Sequence, residues 1–403
     1  TKAATITVNA TCSLRDAITA ANTDTASNGC PAGASGADTI ALPTLSTITL
    51  EEVDADGNGL AGLPVITSNI SVQGNGATIT RGVTAPEFRL ITVDAGASLY
   101  LDSVGLTNGK QIGSAIYAYD ANTVVLTNSQ ISNNSSVERG AGIVTKGTNV
   151  SVSYSEITDN TTDVNVAGIS VLNGDLLISN STITGNSAPN VIAGVYAEGG
   201  RLEIVDSVIS RNTARIFSGV YTYNPTSVEV EGSEISSNNG LSSGMGLYGT
   251  SGIDIQIRDT KVNNNIGDGT GLYIASVSGA GPNTQLQISN SEVNGNQAEN
   301  FTGMAIAGDI SATIDMTTIN QNSAPDGHAG LIFDYNADAL VIDSQVSLNE
   351  GESTGVKVVD SEITLTRSTL TGNVAIGSSR FAAASAILTE NSTLFINESV
   401  ISS

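Results

Sequence analysis

The chain has 403 residues, 43 glycines, no tryptophan, 13% charged residues and a formal net charge of -24. That acidity argues against nucleic acid and anionic membrane surfaces as partners, and no stretch approaches the roughly 18 consecutive apolar residues of a membrane-spanning helix. Two cysteines, one histidine and three methionines leave little material for metal or redox chemistry.

Residues 1 to about 45 read as an N-terminal strand and a capping segment. Thr5–Val8 predicts the strand. Ser13 is a helix N-cap, and Leu14, Ala17, Ile18 and Ala21 form one apolar face of a short helix behind it. Cys12 and Cys30 flank that helix. They form either a disulfide, which adds about 3 kcal/mol in an oxidising compartment, or a pair of free thiols. The first residue is Thr1 rather than Met, as expected of a processed, exported protein or of a trimmed one. Further on, Glu51–Gly59 contains D-x-D-G-N-G, placing Asp54, Asp56 and Asn58 around a tight turn. This resembles the first half of a calcium loop, but Val65 stands where the bidentate glutamate belongs. The segment is read as an acidic turn, with calcium binding the alternative, so no cofactor is expected unless it is calcium.

Residues 46–403 form the body, regular from about 98 onward. NSQISNN, YSEITDN, NSTITGN, DSVISRN and GSEISSN close on Asn134, Asn160, Asn186, Asn212 and Asn238, and the column continues at Asn265, Asn296, Asn322, Asn349 and Asn373. A fixed period of about 26 residues signals a solenoid whose repeats bury their core against neighbours. Around each repeat serine or threonine, Val, Ile and Leu alternate at period two, and a third apolar strand follows each asparagine. The fold predicted is all-β, a parallel β-helix with three short strands per coil and an N-terminal capping helix. The asparagines are expected to turn corners, because Asn tolerates left-handed angles, and to hydrogen-bond along the axis as a ladder.

CSLRDAITAAN (residues 12–22), GADTIALP (36–43), GLPVITSNISVQGNGATITR (62–81) and FRLITVDAGASLYLDSVGLTNG (88–109) resemble the CSLREA-type N-terminal region of secreted bacterial β-helix proteins. The I-x-x-N and G-[AG]-[ILV] elements are similar to the repeats of chlamydial polymorphic outer-membrane proteins. The resemblance implies a right-handed parallel β-helix on or outside the cell, usually non-catalytic and often adhesive or structural. Right-handed crossovers are the rule for parallel strands. The chain departs from the pattern at Asp16, where the motif has Glu, and lacks the transmembrane barrel of the polymorphic proteins.

Functional candidates are few. Outward-facing Tyr196, Tyr221, Tyr248 and Tyr273 occur on four successive coils and are read as a strip for a sugar chain or partner protein, or as rings that protect a sheet face. Asp206 and Asp259 would lie two coils apart, roughly 9.6 Å from the strand spacing, which is read as an isolated coincidence rather than an inverting carboxylate pair. His328 stands in an apparent loop without a partner. The function expected is a non-catalytic extracellular rod or fibre subunit that is structural or adhesive. It would assemble head to tail or continue into a further C-terminal domain, since LFINESVISS (394–403) stops within a repeat. A carbohydrate-binding module is the alternative, and a polysaccharide lyase or hydrolase is the third reading.

Overall fold

The apolar columns lie on strands that pair in parallel with their counterparts one coil on. Val124 aligns with Val150 and Leu126 with Val152, and Val228 aligns with Ile255 and then Leu286. The computed structural model describes residues 3–56, 59–137, 140–164, 166–250, 252–277, 283–376 and 386–402. It shows an all-β parallel solenoid of about 11 turns, about 26 residues per coil, with, among the described residues, a single short helix near the N-terminus. Two compact units divide the chain, Thr1–Glu198 and Gly199–Ser403.

Each regular coil has three faces. Face A precedes the repeat serine (Asn149–Ser153, Ser227–Glu231), face B joins serine to asparagine (Glu156–Thr158, Glu234–Ser236), and face C follows the asparagine (Ile143–Lys146, Val220–Tyr223). Alternation along each strand sends Val228, Val230 and Ile235 inward to 2% exposure or less. Each such side chain stabilises by about 1.5–3 kcal/mol.

The asparagine ladder exists in both units. In the first, Asn134 Nδ2 donates to Asn160 Oδ1 at 2.9 Å, and Asn160 Nδ2 to Asn186 Oδ1 at 3.0 Å. In the second, the same bond joins Asn212 to Asn238, Asn265, Asn296, Asn322, Asn349 and Asn373 in turn. The next coil's Oδ1 also accepts from the backbone N–H, as Asn265 Oδ1 does from Asn238. Nδ2 donates back as well, Asn265 to the Ile235 carbonyl. The amide is thus fully used, which is what permits its complete burial.

One part of the expectation is corrected. The left-handed residue of this corner is not the ladder asparagine but the one before it: Asn133, Asp159, Gly185, Arg211, Ser237, Asn264, Gly295, Gln321, Leu348 and Gly372 all have φ between 53° and 68°. Turning and hydrogen bonding are therefore divided between adjacent positions. The repeat serine forms a second ladder that mere periodicity did not reveal. Ser129 N donates to Ser155 Oγ and Ser155 N to Ser181 Oγ in the first unit. Thr317, Ser344 and Ser368 continue the pattern in the second.

The helix Leu14–Thr23 buries Leu14, Ala17, Ile18, Ala20 and Ala21. Ser13 caps it, accepting from the Asp16 N–H while its hydroxyl donates to the Asp16 carboxylate at 2.6 Å. That hydrogen bond is the main cause holding the Asp16 pKa below its ordinary value. Asn22 fastens the helix to the coils, donating to the Val65 carbonyl and accepting from the Thr67 N–H. Cys12 and Cys30 form a disulfide. Thr5–Thr7 pairs in parallel with Asp38–Ala41, which pairs with Asn69–Arg81, so the capping segment is continuous with the stacked sheet.

On face C of the second unit a column of glycines runs through successive coils. Gly244, Gly271, Gly303, Gly330 and Gly355 are aligned one above another. All have positive φ, and a Cβ on Gly303 would lie 2.2 Å from the Gly330 carbonyl oxygen. Backbone conformation and close approach both require glycine there. In the coil of residues 386–402, Phe395, Ile396, Val400 and Ile401 are exposed.

Candidate functional site

Face C of the second unit carries an aromatic groove. Its outward positions fall in two columns because side chains alternate along each strand. One column reads Tyr221, Gly246, Tyr273, Ala305, Ile332 and Lys357. The other reads Tyr223, Tyr248, Ala275 and Ala307. The expectation of one tyrosine strip is thus corrected. Tyr221 and Tyr273 share a column two coils apart, while Tyr248 stands two residues further along its strand, beside Tyr223. The cause is the register: Tyr248 aligns with Tyr223, so Gly246 occupies the position opposite Tyr221.

The rings are ordered by one another. Phe217 and Tyr221 stack with centroids 3.8 Å apart, and Tyr223 and Tyr248 with centroids 5.8 Å apart and planes within 5°. Two adjoining cavities open among them. The first, about 320 Å3, lies over Gly246 between Tyr221 and Tyr273, with Phe217, Tyr248 and Phe301 around it. The second, about 430 Å3, shares Tyr248, Tyr273 and Phe301 and reaches Asp334 and Tyr335. Tyr273 has a raised pKa, mainly from burial and then from the nearby Tyr248 and Asp334, so its phenol is a neutral donor. Asp334 also has a raised pKa, with burial the largest cause, against a backbone hydrogen bond from Tyr335 that lowers it.

Phe217, Tyr223, Phe301 and Tyr335 were not among the sequence candidates. Tyr223 was readable, since it alternates with Tyr221 about Thr222. Phe301 was concealed by a register shift between Gln297 and Phe301. Tyr196 belongs to the first unit, where it lines a cavity of about 520 Å3 with Tyr117, Tyr119 and Lys146. Lys146 lies over the Tyr119 ring, 5.4 Å from its centroid.

The other candidates separate. Asp54–Asp56 is an extended strand paired antiparallel with Gly59–Ala61, and Asp54 meets Arg15 at 3.7 Å. Asn58 lies outside the described residues, as do the surroundings of the Asp56 side chain. Among the described residues no group of three or more His, Cys, Asp or Glu is arranged to hold a metal. Asp206 and Asp259 sit at left-handed corners on face A's edge, and Asp259 accepts from the Asn290 amide. His328 is not in a loop: it lies within the strand Ser323–Asp334, 5% exposed, with Nδ1 3.0 Å from Ser353 Oγ. Burial, and then the charge of Lys357, lowers its pKa from 6.5 to about 3.

Residues 141–309 match a family model described as right handed beta helix region. The chain is a right-handed parallel β-helix. Among solved structures, the β-helix is similar to the A-module of mannuronan C-5 epimerase AlgE6 from Azotobacter vinelandii. That match has 10% identity over 89% of this chain and 91% of that chain, with a TM-score of 0.36. It is also similar to DFA-IIIase from Arthrobacter chlorophenolicus A6, solved in complex with GF2, at 10% identity over 94% and 88%, with a TM-score of 0.22. Likeness at these scores does not bear on the chemistry of the groove. No curated protein matches the β-helix in sequence.

Proposed function

We propose that this protein is a non-catalytic, extracellular adhesive β-helix that holds a glycan chain in the face C groove of its second unit. The observation that carries the reading is the set of aromatic rings contributed by five successive coils: Tyr221, Tyr248, Tyr273, Phe301 and Tyr335. Such rings offer flat apolar faces to sugar C–H groups and polar edges to sugar hydroxyls. Tyr248, Tyr273 and Tyr335 are 37%, 45% and 65% exposed, so part of each ring is accessible to a ligand. The disulfide and the N-terminal resemblance to secreted CSLREA-type proteins support placement outside the cell. Among the described residues lining the two cavities Asp334 is the one carboxylate, which favours binding over the two-carboxylate chemistry of glycoside hydrolysis.

The test is a titration with soluble glycans of the wild type and of a Tyr248→Ser, Tyr273→Ser variant. Two stacking rings at about 0.5–1.5 kcal/mol each correspond to a loss of roughly fivefold to 150-fold in affinity. A melting temperature that falls while binding is unchanged assigns the rings a structural role and removes the proposal.

A further inference from the structure

The column Tyr221, Gly246, Tyr273, Ala305, Ile332 alternates large and small from coil to coil. Each small residue leaves a slot, one over Gly246 between Tyr221 and Tyr273, the next over Ala305 beyond Tyr273. The slots are two coils apart, roughly 9.6 Å along the axis from the spacing of paired strands. Tyr273 stands between them, so a unit that fills one slot must be followed by a unit that crosses the ring before the next can enter.

Resting on the glycan reading above, the geometry points to a neutral, β-1,4-linked pyranose chain that runs along the solenoid axis and inserts every second sugar. In an extended two-fold ribbon alternate sugars turn the same edge to one side, and the disaccharide repeat matches the separation of the slots. The intervening sugar lies on the Tyr273 face, where stacking is favourable. A bent β-1,3 chain or a coiled α-1,4 chain does not present equivalent edges at that interval. Charge selects further. The first slot is lined by uncharged residues, and the second offers the Asp334 carboxylate as an acceptor for hydroxyl groups. An acidic chain would meet Asp334 and the net charge of -24.

Calorimetric titration of the full chain with neutral β-1,4 gluco- and manno-oligosaccharides, from disaccharide to hexasaccharide, tests this. Affinity should rise in a step from disaccharide to trisaccharide, the shortest chain that reaches both slots. Gly246→Val should abolish the step and weaken trisaccharide binding about tenfold. The backbone at Gly246 is not left-handed, so the strand tolerates a side chain, but a Cβ there lies 3.3 Å from Tyr221 Cδ2, so valine fills the slot only as the Tyr221 ring gives by a few tenths of an ångström. Ala305→Val blocks the other slot and should act alike should the first variant fold poorly. Equal affinity for α-1,4 or β-1,3 chains of the same length, or a smooth rise without a step, overturns the linkage and spacing while leaving a glycan groove. Tighter binding of β-1,4-linked uronic acid oligosaccharides of the same length overturns the neutral specificity. Binding of none of these chains overturns the glycan reading itself.

Discussion

At the scale of the residue, neighbouring asparagines of one corner carry different burdens. Asn264 is exposed with φ 57°, whereas Asn265 is fully buried within the ladder. Asn264→Gly should leave the melting temperature nearly unchanged, because glycine accepts that conformation without strain. Asn265→Leu removes the acceptor of Asn238 and a donor to Asn296. Its cost should be roughly 1–3 kcal/mol for each group left unpaired. Equal melting temperatures for the two variants would show that the ladder amide does not carry corner stability. His328 sets a second residue-scale expectation. Its pKa falls from 6.5 to about 3 on folding, so the unfolded chain takes up the proton first. The stabilisation from keeping this imidazole neutral is complete above pH 6.5 and is lost as pH falls toward about 3, by up to about 1.4 kcal/mol per pH unit. Acid unfolding of a His328→Gln variant should show a shallower loss across that window, and an unchanged slope would count against this assignment.

At the scale of the element, the sequence made the strands legible and left the corners half-read. The columns of Val, Ile and Leu specify short strands because period two leaves no other buried face. The helical spacing of Leu14, Ala17, Ile18 and Ala21 behind Ser13 likewise made the N-cap and the buried helix face legible. Which asparagine turns the chain was not legible, since a buried ladder amide and a left-handed corner both select Asn. The groove was partly legible: Tyr221, Tyr248 and Tyr273 were all found, but their columns depend on where each coil absorbs extra residues. Such shifts fall between Gly267 and Gly269, between Gln297 and Phe301, and between Ala324 and His328. Glycines divide by the same logic. Gly303→Ala should destabilise by about 1–3 kcal/mol through its strained φ of 102°, with further loss from the contact on the Gly330 carbonyl. Gly269→Ala, whose Cβ would meet only the Leu241 carbonyl at 3.9 Å, should be nearly neutral in thermal unfolding.

At the scale of the whole molecule, interactions between neighbouring coils dominate. Strands pair with the coil before and the coil after, and the asparagine, serine and glycine ladders all link adjacent coils. Within each unit a defect should therefore spread by neighbours rather than all at once. Hydrogen exchange on the Asn265→Leu variant should show lost protection centred on residues 238–296 and native protection around Val346 and Leu370. Uniform loss through the second unit would show tighter coupling than a nearest-neighbour stack allows. The register shifts on face C have one more consequence. Gly303 and Gly330 stand one and two residues further past their ladder asparagines than Gly271 does, yet both ladders remain aligned. The stretch between those ladders is thus a place where the chain can change length without disturbing its scaffold. A foreign peptide grafted after Glu299 or Pro325 would be displayed from a fixed height on the solenoid, beside the aromatic groove, and copies on successive coils would form an ordered array.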